Sequence, residues 1–137
     1  MVISLVVLYA TPALSQTETG VLSVKKLSPD APAQEFSFTS NNTPSNFTLS
    51  DDDTQTFNVE VGTSITITET VPDDWYLEKI NCDASGGTAV VDLANNRVTM
   101  TLTSANTTFG CNFDNELPDP PLNTGRLIVE KKAPDVP

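Results

Sequence analysis

Three apolar strand faces in this sequence each end in a polar residue. In "SITITET", Ile65 and Ile67 share one face, and the next residue on that face is Glu69. "VLSVKK" places Lys26 after an apolar face in the same way, and "FGCNFDN" so places Asn115. Each polar group taken alone could be a strand end that turns out to water. Together, an amine, a carboxyl and a carboxamide are the components of an intramolecular amide bond.

Burial would prepare these three groups for such a reaction, because a low-dielectric environment disfavours charged forms. The lysine pKa would fall and the glutamate pKa would rise, leaving a nucleophilic amine beside a protonated acid. We therefore predict that Lys26 is the amine, Glu69 the assisting acid and Asn115 the acceptor of a crosslink that expels ammonia. In the alternative, Asn115 is a neutral hydrogen-bond partner of the other two.

The elements that would position these residues are short alternating runs separated by turn residues, and helical periodicity is nearly absent. Roughly seven to nine such runs over about a hundred residues predict an all-β fold, a β-sandwich. The runs are "GVLSVKK", "EFSFT", "NFTLS", "FNVEV", "SITIT", "WYLEKINC", "TAVVDL", "RVTMTLT" and "TFGCNF".

Composition excludes several function classes. The chain has 137 residues and a net charge of -11. This charge argues against nucleic acid or an anionic membrane as a partner, because a protein binds either of them through a basic surface. It has no histidine, the commonest general base and metal ligand, and no G-x-S-x-G motif. We predict no metal, no cofactor and no enzyme activity beyond a single self-directed crosslinking step.

The first fifteen residues are typical of a secretory signal, because an apolar run is followed by the small residues around Ala13 and Ser15. A basic region before the apolar run is missing, so either the start lies upstream or the signal is unusual. Export would suit the two cysteines, Cys82 and Cys111, which then predict a disulfide. Two free buried thiols are the alternative.

A repeat divides the chain into units. "GVLSVKKLSPDAP" from Gly20 and "GRLIVEKKAPDVP" from Gly125 share seven positions in order, and Lys131 is the counterpart of Lys26. A Pro-rich stretch separates the two copies. The predicted organisation is a signal at 1–15, a sandwich at 16–116, a linker at 117–124 and the start of a second repeat at 125–137.

The sequence resembles the Cna B-type, or SpaA-like, prealbumin-fold repeats of bacterial surface proteins and pilins. The matching stretches are "GVLSVKK", "FNVEVGTSITITETVPDDWYL" and "CNFDN". The resemblance implies an antiparallel sandwich of inverse immunoglobulin-like topology. It also implies a Lys–Asn isopeptide bond between Lys26 and Asn115 that Glu69 assists. Ile65 stands where the family often has Tyr, and Asp74 where it often has Gly. The cysteine pair resembles a subgroup of the family with "C…C-x-F-x-N" near its end. This second resemblance implies an alternative in which a disulfide, and not the isopeptide bond, staples the domain.

Two functions fit these observations. The first is a structural repeat of an exported, cell-surface protein (a stalk, adhesin or pilus-like protein), whose partners are the neighbouring repeats of the same chain. The second is an extracellular module that binds carbohydrate or a protein, which would need a cluster of exposed aromatic residues.

Overall fold

Nine β-strands make up nearly all of the regular structure in the computed structural model, which describes residues 1–119 and residue 125. The predicted signal segment has no regular element, and residues 120–124 and 126–137 of the predicted linker and second repeat lie outside the described residues. Among the described residues, the structure contains no helix with the length and hydrophobicity of a membrane span. The strands are β1 (Thr19–Leu27), β2 (Phe36–Ser40), β3 (Asn46–Leu49), β4 (Thr54–Glu60), β5 (Ser64–Thr70), β6 (Tyr76–Cys82), β7 (Gly87–Asp92), β8 (Arg97–Leu102) and β9 (Thr108–Glu116), with one 3₁₀ turn at Leu93–Asn95.

The strands form two sheets, which confirms the predicted all-β sandwich. The first sheet has the order β4-β1-β9-β6 and the second the order β3-β2-β5-β8-β7. Every neighbouring pair is antiparallel except β1 and β9, the first and last strands, which run parallel. Alternation along a strand does not specify the direction of its neighbour, so the sequence did not predict this parallel pair.

The core lies between the inner faces of the two sheets, and the alternating apolar residues supply it. Leu22 and Val24 of β1 belong to the same core cluster as Ile65 and Ile67 of β5, and each of the four is completely buried. Phe38 of the second sheet meets Phe113 of the first edge to face, with ring centroids 5.3 Å apart. Burying each of these side chains contributes roughly 1.5–3 kcal/mol, so the two sheets are held together mainly by this layer.

The turn before β6 explains one departure from the family sequence. Asp74 has a φ of 70°, in the left-handed region that favours glycine. A φ of this sign fits the glycine that the resemblance implies at this position. Aspartate is among the few other residues that adopt this conformation at modest cost, so the turn keeps its shape.

The predicted disulfide is present and joins the last two strands of the first sheet. Cys82 of β6 lies directly opposite Cys111 of β9, with their Cα atoms 4.0 Å apart. Cys111 is 1% exposed, whereas Cys82 is partly exposed at the sheet edge. The bridge closes a loop of 29 residues that contains β7 and β8.

Replacing both cysteines by serine is expected to lower the free energy of unfolding by about 3–4 kcal/mol, from the lost restriction of the unfolded chain. Urea denaturation of the two chains would measure the difference. A reducing agent should shift the midpoint of the wild type and leave that of the Cys82→Ser/Cys111→Ser variant in place. Equal midpoints without the reducing agent would contradict the expectation.

Candidate functional site

The three polar residues at the ends of apolar faces meet at one end of the sandwich core. Lys26 follows Leu22 and Val24 along the inner face of β1. The parallel register sets Lys26 opposite Phe113 of β9, and Asn115 is the next inward residue of that strand. Glu69 approaches from β5 in the opposite sheet. The site is therefore built across both sheets.

None of the three side chains turns out to water. Lys26 and Asn115 have no exposed surface, and Glu69 is 2% exposed. The neighbouring Lys25 has the opposite orientation, since it points outward and its Nζ lies 2.8 Å from Asp52 Oδ1. Two consecutive lysines therefore differ completely in environment, as strand alternation requires.

The Lys26 amine is held by oxygen atoms on several sides. Its Nζ donates to Asn115 Oδ1 at 2.8 Å, and to the backbone oxygens of Leu27 at 2.8 Å and Phe113 at 3.2 Å. Glu69 Oε1 lies 3.7 Å from the same nitrogen. The amine is thus in direct contact with the carboxamide oxygen and beside the carboxyl.

Burial sets the protonation of the pair. It lowers the pKa of Lys26 from 10.5 to about 8, and the nearby Glu69 carboxyl partly offsets that shift. Burial likewise raises the pKa of Glu69, again partly offset by Lys26. Both shifts favour the neutral forms, so a proton passes from the amine to the carboxyl at a lower free-energy cost than in water.

Three polar atoms of the site make no hydrogen bond to any described residue: both carboxyl oxygens of Glu69 and Nδ2 of Asn115. An unpaired buried polar group typically costs about 1–3 kcal/mol of stability. Buried groups that stay polar at such a cost often have a functional role, because an apolar replacement would stabilise the fold.

Two aromatic residues complete the site, and the sequence analysis did not assign them to it. The ring centroid of Phe36 lies 4.1 Å from Lys26 Nζ, and Trp75 packs edge-on against Phe36 with centroids 5.2 Å apart. The face of Phe36 covers the amine and excludes solvent. Alternation in "EFSFT" put Phe36 on an inner face, but only the packing of β2 against β1 brings it to Lys26. Lys131, predicted as the second-repeat counterpart, lies outside the described residues.

The chain was compared with known proteins and families. The prealbumin-like fold domain of the SpaA type matches residues 22–117, which includes all three site residues. The chain belongs to this family. The family match thus begins near the start of β1 and ends just after β9, so this prealbumin-like domain comprises the whole sandwich.

Two solved structures resemble this prealbumin-like domain. One is a bacterial adhesin from Mobiluncus mulieris containing intramolecular disulfide, isopeptide and ester bond crosslinks, with a TM-score of 0.54, 17% identity and coverage of 75% of this chain and 42% of that chain. The other is a variant of a pilus-presented adhesin, with a TM-score of 0.45, 14% identity and coverage of 76% and 28%. This chain therefore spans less than half the length of either adhesin. No curated protein matches it.

Proposed function

We propose that this prealbumin-like domain is a structural, load-bearing module of an exported bacterial surface protein, closed by an isopeptide bond between Lys26 and Asn115. The observation that carries the proposal is the 2.8 Å contact between Lys26 Nζ and Asn115 Oδ1 in a fully buried site. That contact joins the first strand of the sandwich to the last.

The reaction conserves atoms without any added reagent. Glu69 accepts a proton from the Lys26 ammonium, and the neutral Nζ attacks Cγ of Asn115. The Cγ–Nδ2 bond breaks, and the departing NH2 takes up one proton from Nζ and one from Glu69. It therefore leaves as an ammonium ion, the chain loses the mass of one ammonia, and the carboxylate returns to its starting state. The product is a secondary amide, and the reaction occurs once per molecule.

The order of strands gives the crosslink a mechanical role. A pull on the N-terminal side enters at Thr19, the start of β1, and a pull on the C-terminal side leaves at Glu116, the end of β9. These strands are parallel neighbours, so the pull shears them past each other. A bond from Lys26 to Asn115 would carry that force directly and keep the residues between them out of the load path.

The proposal extends to the arrangement of domains along the chain. An exported chain with a signal at 1–15, a linker at 117–124 and a second repeat from 125 would place such domains in series on a cell surface. Its partners would be neighbouring repeats of the same chain. The Mobiluncus adhesin, described as containing disulfide and isopeptide crosslinks, offers a precedent for both staples in one protein.

The carbohydrate- or protein-binding alternative has less support. Of the phenylalanines, Phe36, Phe38, Phe57, Phe109 and Phe113 are buried, and Phe47 packs against the core. Trp75 is partly buried against Phe36, while Tyr76 is exposed and donates its hydroxyl to Glu116. Within residues 16–119, a stacking platform would therefore have one exposed aromatic side chain at its disposal.

Intact mass of the whole reduced chain tests the bond. We expect the wild type to lie one ammonia below the mass calculated from its sequence, because the crosslink expels ammonia. The Lys26→Ala and Glu69→Ala variants should lie at their calculated masses, the first because it lacks the amine and the second because it lacks the proton acceptor.

The matched control is Lys25→Ala, which removes the neighbouring, outward-facing lysine. It should show the same ammonia loss as the wild type, and fragmentation should locate the new bond between the β1 and β9 peptides. A wild type at its full calculated mass would overturn the crosslink. The site would then be a buried hydrogen-bonded cluster, and the disulfide would be the remaining covalent staple in the described part of the chain.

A further inference from the structure

Four strands lie at the edges of the two sheets, and an edge strand can pair with another chain through its unsatisfied backbone groups. Three of them have features that discourage such pairing. β6 has a register shift between Leu77 and Lys79 and two charged side chains there. β3 has only four residues. β4 is preceded by the acidic turn Asp51–Asp53 and ends in Glu60.

The fourth edge strand, β7, lacks these features. Its six residues, "GTAVVD", have no lysine, proline or register shift, and the first charge is Asp92 at the end. Val90 is 72% exposed, Val91 44% and Leu93, in the following turn, 41%. Elsewhere in residues 16–119 the large exposed apolar side chains are Tyr76 and Leu117. The exposed apolar surface of the folded domain is therefore concentrated on this edge.

The backbone of β7 presents a regular set of groups to solvent. Thr103 N–H donates to the Gly86 oxygen, and this bond shows which alternate residues of β7 hydrogen-bond to β8. Alternate residues counted from Gly86 therefore bond to β8, and Gly87, Ala89 and Val91 turn their N–H and C=O groups away from it. No strand of the described residues pairs with that side.

Charge determines where two copies of this chain could meet. Each copy of the chain has a net charge of -11, so two copies repel each other over most of their surfaces. The β7 edge is nearly neutral, because the Asp92 carboxylate is paired with Arg97 at 2.9 Å and the preceding five residues are uncharged. Two copies can thus approach edge to edge with the least repulsion.

We propose that β7 pairs antiparallel with β7 of a second copy of this chain, about a two-fold axis centred on Ala89. This register pairs Gly87 with the second copy's Val91, Ala89 with its counterpart, and Val91 with Gly87, so every outward backbone group finds a partner. It also packs Val90 beside the methyl group of Thr88 across the seam. Five strands from each copy then form one continuous sheet, joined by a small interface and therefore a weak, reversible one.

Sedimentation of the full chain over a range of concentrations tests the pairing. We expect a reversible monomer–dimer equilibrium that strengthens with added salt, because salt screens the repulsion between the copies. Val90→Lys should weaken it by about tenfold or more, since the lysine would lie at the seam close to its two-fold mate. The matched control is Thr48→Lys, which adds the same charge at an exposed position of the opposite edge strand, β3, and should leave the equilibrium unchanged.

Amide hydrogen exchange locates the contact. The amides of Gly87, Ala89 and Val91 should exchange rapidly in dilute protein and slowly in concentrated protein, while Val90→Lys removes that difference. A chain that stays monomeric at every concentration overturns the pairing. The β7 edge would then be available to an extended segment of another protein. A dimer that Val90→Lys and Thr48→Lys affect equally also overturns it, because the contact then lies elsewhere.

Discussion

When the wild-type chain is pulled from its two ends, we expect no unfolding step that releases more than the residues of β1. The Lys26→Ala variant is expected to unfold in one step with a large increase in length. Lys26 and Asn115 are separated by 89 residues, of which the disulfide holds back 29, leaving 60 residues to extend. At roughly 3.3–3.6 Å per extended residue this is a step of about 200 Å. Single-molecule force spectroscopy would measure it.

Two controls connect this step to the crosslink. Lys25→Ala should extend like the wild type, because that lysine faces outward and pairs with Asp52. A reducing agent should lengthen the step of Lys26→Ala by the 29 residues behind the disulfide and leave the wild type unchanged. A wild-type step equal to that of Lys26→Ala would show that no bond protects the domain under load.

Raising the pH is expected to stabilise the Glu69→Gln variant by at least about 3 kcal/mol relative to Glu69→Gln/Lys26→Met. Glu69→Gln removes the second titrating group and the acid of the proposed crosslinking reaction, so we expect Lys26 to remain a free buried amine. Its pKa when folded, about 8 or lower in the absence of the carboxyl, lies below its ordinary value of 10.5. Each pKa unit corresponds to about 1.4 kcal/mol of stability.

The direction of this change follows from proton binding. Between about pH 8 and pH 10.5 the unfolded chain binds a proton at Lys26 that the folded chain has released. The free energy of unfolding therefore rises as pH increases through that window and levels off above it. Below about pH 8 both states hold the proton, and the full cost of burying the charge remains.

Urea denaturation of both variants at several pH values would measure the difference, and Lys26→Met serves as the reference because methionine fills a similar volume without titrating. The other titrating groups are common to the two chains and cancel. Intact mass of each sample must show that ammonia is retained. A stability difference independent of pH would mean that Lys26 is solvated when the domain is folded.

Local alternation in the sequence was sufficient to predict the strands and their inward residues. Each of the nine alternating runs corresponds to one of the nine strands, because alternation is a local property of extended backbone. The same local rule put Lys26, Glu69 and Asn115 on inner faces and Lys25 on the outer one, and the structure confirms all four orientations. The positions of the strands and the inward or outward orientation of their residues do not depend on which strands become neighbours.

Tertiary structure alone decided which faces meet. The parallel pairing of β1 with β9 brings Lys26 to Asn115, and packing of the opposite sheet adds Glu69 and the ring of Phe36. Strand order likewise left β7 at an edge, although its run looks like any other in the sequence. The physical reason is that strand order and direction arise from long-range packing of whole faces, and the residues of one strand do not encode their neighbours across the sheet.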